Sequence, residues 1–189
     1  MKTTSVMIVG VGGQGTLLAS KLLGNVLIAQ GYDVKLSEVH GMSQRGGSVV
    51  TYVKYGDKVY SPIVDQGEAD YILSFEILES ARWISYLKEG GVLLTNTQKT
   101  WPMPVITGAM AYPEGIVEKL SAIADVQAVD ALKLAEQAGS PKAVNVVLIG
   151  VLSKRMDIPE EAWLKAIEET VPPKFLELNK KAFRLGREA

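Results

Sequence analysis

Two glycine-bearing segments hold the residues whose types and spacing could do chemistry. The first, SVMIVGVGGQGTLLASKLLGNVLIA, runs from Ser5 to Ala29 as an apolar strand, a glycine turn and an apolar helix. That arrangement aims backbone N–H groups at an anion. Gly10, Gly12 and Gly15 fit G-x-G-x-x-G, with Gly10 expected at the tight turn, Gly12 where backbone approaches a ligand, and Gly15 where helix meets sheet. Gly13 and Gln14 complete the loop, and these five residues are the expected cofactor-binding set. Thr16 and Leu17 stand where a triphosphate-hydrolysing loop needs Lys and Ser or Thr, which argues against that chemistry. A dinucleotide site wants an acid about 20 positions further on, and Asp33 and Glu38 bracket that place without fitting it. Glycines that only let a buried helix pack closely would read the same way, so the residues alone leave ligand binding and packing both open.

The second segment, SEVHGMSQRGGSV from Ser37 to Val49, follows the second strand, at the end of an α/β sheet where ligands bind. Glu38, His40, Gln44, Arg45, Gly46 and Gly47 are its candidate substrate or interface residues. The glycines permit unusual backbone angles, and the Arg45 guanidinium is a rigid fork suited to a carboxylate, a phosphate or an acidic partner side chain. The alternative is a loop whose Arg45 and His40 satisfy local carbonyls. No catalytic residue and no metal ligand is assigned.

The elements that must position these loops follow from hydrophobic periodicity. Strand-length apolar runs at Val6 to Val9, Val34 to Leu36, Tyr71 to Phe75, Val92 to Thr95 and Val126 to Val129 alternate with helical segments, which predicts an α/β fold with a mostly parallel sheet flanked by helices. Ser48 to Tyr55 and Lys58 to Tyr60, joined by Gly56 and Asp57, read as a hairpin inserted at one edge. Glu76 to Leu87 reads as a helix stopped by Lys88, Gly90 and Gly91. Thr100 to Pro104 reads as a proline-stiffened loop free of regular structure, its Trp101 packed or interfacial. C-terminal helices are expected over Ala131 to Ala138, over the strongly apolar Ala143 to Arg155, after Asp157 and Pro159, and after Pro173 to near Gly186.

At 189 residues and 47% hydrophobic, the chain suits a single domain spanning 1–189. A net charge of −1 with dispersed Lys and Arg gives no footprint for nucleic acid or an anionic membrane. No apolar run approaches the roughly 20 residues of a membrane span, and none reads as a signal peptide, so a cytoplasmic location is expected. The sequence has no cysteine and one histidine, which excludes disulfides, thiolate zinc sites, a cysteine nucleophile and cysteine-ligated iron–sulfur clusters in this chain. Any electrons must be carried by another chain. The apolar helices imply more buried surface than a monomer needs, hence a partner interface, which in isolation could pair two copies as a homodimer.

Taken together, GVGGQG at Gly10, EVHGMSQRGGSV from Glu38, YSP at Tyr60, GEAD at Gly67 and KAVNVVLIG at Lys142 resemble the gamma-type domain of the 2-oxoacid:ferredoxin oxidoreductases over nearly the whole chain. The EVHG lead into QRGGSV, with Asn96, Thr97 and Gln98 after the central strand, is similar to the members acting on indolepyruvate. The resemblance implies a Rossmann-like fold and a small subunit, inactive alone. Its complex would oxidatively decarboxylate an aryl pyruvate, with coenzyme A as cosubstrate and ferredoxin as electron acceptor. It also implies that thiamine diphosphate, magnesium and the iron–sulfur clusters sit on the large (alpha) partner subunit. Gly56-Asp57 is followed by Lys58 and lacks the GDG and NN of a thiamine diphosphate and magnesium site. Related pyruvate, 2-oxoisovalerate or 2-oxoglutarate enzymes, and a stand-alone NAD-dependent dehydrogenase, are the alternatives.

Overall fold

The computed structural model describes residues 3–39 and 47–189. Alternating side chains of the first strand, β1 (Thr3–Val11), explain the layering. Val6 and Ile8 point to one face and Met7 and Val9 to the other, and all four are fully buried. Such a strand needs cover on both sides. The larger cover comes from α1 (Thr16–Ala29), α5 (Ala131–Ala138), α6 (Val144–Ser153), α7 (Glu160–Thr170) and α8 (Leu176–Glu188), which share a core with Val6, Ile8, Leu73 and Leu94. On the other face, α2 (Ile77–Trp83) and α4 (Ile116–Ser121) bury Ile77, Ile116 and Leu120 against Met7, Val9, Ile72 and Leu93.

The sheet has six strands in the order β2-β3-β1-β4-β5-β6, where β2 is Asp33–Val39, β3 Ser48–Gly56, β4 Ala69–Ser74, β5 Leu87–Asn96 and β6 Asp125–Val129. β1, β4, β5 and β6 pair in parallel, and β3 pairs antiparallel with both β1 and β2. Each strand expected from an apolar run is present. The inserted strand is not an edge hairpin, however. β3 lies inside the sheet, matched from Thr3–Gly56 to Val11–Ser48 on one side and from Asp33–Gly56 to Val39–Val50 on the other. Lys58 to Tyr60 stays outside the sheet because Asp33 at the start of β2 takes the chain after Gly56: its carboxylate accepts the Val59 N–H at 3.0 Å and pairs with Lys35 and Lys58.

Three further expectations are corrected. The helix after Glu76 ends at Trp83, a 3-10 turn covers Ile84–Tyr86, and Lys88, Gly90 and Gly91 belong to β5. These glycines serve a register shift opposite Ala69 to Tyr71, where a side chain on Gly91 would come within 2.9 Å of the Ala69 carbonyl. The proline loop contains a short helix, α3 (Met103–Ile106), because Pro104 sits in its first turn, where a missing N–H costs nothing. Asp157 does not cap α7. Pro159 precedes that helix, and Glu160 and Glu161 complement its dipole. The apolar helix α6 is buried over all ten residues, between the sheet and α8.

Candidate functional site

The topological switch falls at the carboxyl ends of β1 and β4, since the chain leaves β1 toward one edge of the sheet and β4 toward the other. The glycine loop stands there. Gly10 is still in β1, and a side chain on it would lie 2.9 Å from both Gln14 Oε1 and Phe75 Cβ, so it serves close packing rather than a turn. Gln14 spans the crevice: its Oε1 accepts the Val11 N–H at 2.7 Å and its Nε2 donates to the Phe75 carbonyl at 3.3 Å. Asn96, fully buried at the end of β5, donates to the same carbonyl at 3.2 Å and accepts the Ala131 N–H. The switch crevice is thereby closed by side-chain amides.

What remains open lies toward β2. Gly15 precedes α1 in the left-handed region (φ 85°), its carbonyl accepting from Asn145 Nδ2 at 3.4 Å. A side chain on Gly15 would meet that Nδ2 at 2.7 Å, so Gly15 packs against α6 and not the sheet. Gly13 is also left-handed (φ 98°), with nothing within 4 Å of the place its side chain would occupy. Gly15 cannot cap α1 with a side chain, and the first turn has no acid, so nothing in the helix's own first turn offsets its positive dipole end. It borders a cleft of about 380 Å³ lined by Gly13, Thr16, Leu17, Glu38, Val39 and Thr51. Glu38 is held by the Ser20 hydroxyl at 2.8 Å. With β3 inserted, β2 stands one strand further from β1 than a dinucleotide's ribose-binding strand would, so Glu38 does not take that role.

His40, Gln44, Arg45 and Gly46 lie outside the described residues. Gly47 is described, and its carbonyl accepts the Gly12 N–H at 2.9 Å, so the two glycine motifs meet directly at the carboxyl end of β1.

Beside that contact sits a cluster the sequence reading missed. Glu76 follows β4, is 1% exposed and makes no ion pair with any of the described residues. One oxygen accepts the Glu79 N–H at 2.9 Å, capping α2, and the other accepts the Thr100 N–H at 2.9 Å and the Tyr112 hydroxyl at 2.7 Å. Burial, then the adjacent Glu76 carboxylate, push the Tyr112 phenol upward. Glu79, one turn on, accepts from the Ser48 hydroxyl and pairs with Arg82 at 3.1 Å. Burial raises its pKa above the ordinary glutamate range, against the pull of Ser48 and Arg82. Gly47, Ser48, Glu76, Glu79 and Arg82 share a small cavity of about 170 Å³ with Thr100 and Pro102. The available signal was Glu76 itself, an acid directly after a buried strand at the ligand-binding end of the sheet.

The family model for pyruvate ferredoxin/flavodoxin oxidoreductase matches residues 5–189. The chain belongs to that family. It is 45% identical to indolepyruvate oxidoreductase subunit IorB of Thermococcus kodakarensis, over all of this chain and 96% of that protein. Among solved structures, it resembles a keto/oxoacid ferredoxin oxidoreductase gamma subunit from Geobacter sulfurreducens, with a TM-score of 0.73 and 26% identity over 98% of this chain and 96% of that one. Pyruvate oxidoreductase subunit PORC of Thermotoga maritima gives a TM-score of 0.77 and 25% identity, covering 100% and 97%. These oxidoreductase subunits share the layered α/β architecture described above. Among the described residues no helix is long and apolar enough to cross a membrane.

Proposed function

We propose that this oxidoreductase chain is the small subunit of an indolepyruvate:ferredoxin oxidoreductase, which decarboxylates an aryl pyruvate oxidatively to an acyl-coenzyme A and passes the electrons to ferredoxin. The observation that carries this reading is the 45% identity to a subunit named for indolepyruvate, sustained over the full chain. The residues present do not fit thiamine diphosphate, magnesium or iron–sulfur clusters. The sequence has no cysteine, and the described residues contain no group of three potential metal ligands. Those groups therefore belong on the large subunit, and the chain alone is inactive.

Its own contribution is a binding surface. The uncapped amino end of α1 and the glycine turn present N–H groups to an anionic group of substrate or coenzyme A, or to an acid of the large subunit. Arg45 and Gln44, in the adjoining motif, supply the side-chain donors in this reading.

The test is reconstitution. The chain co-expressed with its large subunit should reduce ferredoxin with indolepyruvate and coenzyme A, and neither subunit alone should do so. Gly13→Ala forces a side chain into a left-handed turn without steric contact, at about 1 kcal/mol in stability. It should raise a Michaelis constant or weaken subunit association several-fold while the melting temperature falls by only about 2–4 °C. Turnover or cluster absorbance by this chain alone would overturn the reading, as would a complex that rejects indolepyruvate.

A further inference from the structure

Residues 100–113, TWPMPVITGAMAYP, carry no charge, although Lys99 and Glu114 flank them. They leave the sheet after β5, at the end that carries the glycine loop, and return before α4. A single exposed apolar side chain is ordinary, but here Trp101, Met103, Ile106 and Met110 are each 60–65% exposed. They form one tip. Met103 and Ile106 are three residues apart on α3, and the Met110 N–H returns to the Pro104 carbonyl at 3.0 Å. Together they bare roughly 500 Å², at the upper range for a monomer's largest apolar patch and more than half of the ~800 Å² that one partner contributes to a standard interface.

The segment is also held in shape. Glu76 Oε1 accepts from Thr100 at one end and from Tyr112 at the other, and the Lys99 ammonium stands 5.6 Å from the Tyr112 ring centre. Burying a carboxylate is costly, and here it clasps a loop whose outer face none of the described residues covers. A clasped loop loses little further freedom when it binds.

We propose that residues 100–113 are a preformed docking arm whose uncharged tip seats in an apolar recess of the large oxidoreductase subunit. This rests on the subunit reading above. The large subunit is the occupant because the base of the arm is continuous with the binding surface proposed above to work within the complex: Thr100 and Pro102 line the same small cavity as Gly47, whose carbonyl meets the glycine loop. The bared area supplies more than half of the ~800 Å² that one partner contributes to a standard interface, the rest falling to the surface at the arm's base.

The test measures binding of the full chain to its large subunit, with Met103→Glu and Ile106→Glu made singly. Ile123→Glu, 72% exposed and outside the arm, is the control. Each arm variant should bind roughly 30-fold more weakly or worse, with the control within about twofold and melting of the isolated chain unchanged. Ile106→Leu should restore wild-type binding. Arm variants that bind like the control overturn the docking arm and leave the subunit reading intact. If the wild-type chain self-associates and the arm variants abolish only that, the occupant is a second copy and the proposal is overturned. Failure of the wild-type chain to bind the large subunit at all overturns both readings.

Discussion

Replacing Glu76 by Gln changes one oxygen to an amide nitrogen and should be out of proportion to its size. The carboxylate only accepts, and three donors converge on it: the N–H groups of Glu79 and Thr100 and the hydroxyl of Tyr112. A glutamine must turn its NH2 toward one set. Facing Glu79, it sets donor against donor at the start of α2. Facing the arm, it opposes Thr100, whose N–H cannot rotate away, while Tyr112 can turn its hydroxyl to accept. Hydrogen bonds to a charged group contribute about 1.5–3 kcal/mol each, and relief from burying the charge offsets part of the loss. We expect Glu76→Gln to cost about 2–3 kcal/mol, which for a chain of this size lowers Tm by roughly 5–10 °C. Tyr112→Phe should cost about 1–2 kcal/mol, and much less when made on top of Glu76→Gln, since the two share one bond. Thermal and urea unfolding followed by circular dichroism, with exchange of the Thr100 amide, measure all three. If Glu76→Gln stays within about 0.5 kcal/mol of wild type, the carboxylate is not the hub of this network.

Gly186 on α8 and Gly150 on α6 let those helices touch backbone to backbone, and a side chain on Gly186 would stand 2.0 Å from the Val147 carbonyl. Gly186→Ala should cost about 2–3 kcal/mol despite better helix propensity, whereas Gly24→Ala, whose nearest atom is 4.0 Å away, should be neutral or gain up to about 1 kcal/mol; equal melting temperatures would refute the contact. Glu79 has a folded-state pKa raised above the unfolded value of about 4.5, so the folded state keeps its proton to higher pH. Its contribution to stability should fall as pH rises from that value through the raised one and then level off. The stability difference between wild type and Glu79→Gln should bend over that window, and parallel pH curves would dismiss the effect.

The glycine turn, its strand and its helix were legible because each is a local pattern: an apolar run, a break, and a second apolar run of helical length. The same holds for β4, β5 and β6, and for α6, whose uniform apolarity announces burial on all sides. The roles within the loop were less legible. Gly10 and Gly15 were assigned to a turn and to the sheet, yet they make room for Gln14 with Phe75 and for Asn145, residues up to 130 positions away. Gln14 was expected beside a cofactor and spends its amide bridging β1 to β4. Trp101, read as packed or interfacial, is not packed within the chain; it is exposed, on the arm proposed to dock.

By itself the sequence determined the class of the fold, the apolar faces and the absence of thiolate chemistry, because composition and periodicity are properties of each segment alone. Which neighbour a segment acquires is not such a property. The side chains of β3 alternate in the same way at the edge of a sheet as in its middle, and only pairing on both sides, with Asp33 drawing the following chain away, placed it between β1 and β2. Glu76 reads in one dimension as another surface acid. It became a buried hub only when the fold brought Thr100 and Tyr112 over it, since a carboxylate can leave water only where enough donors converge to replace it.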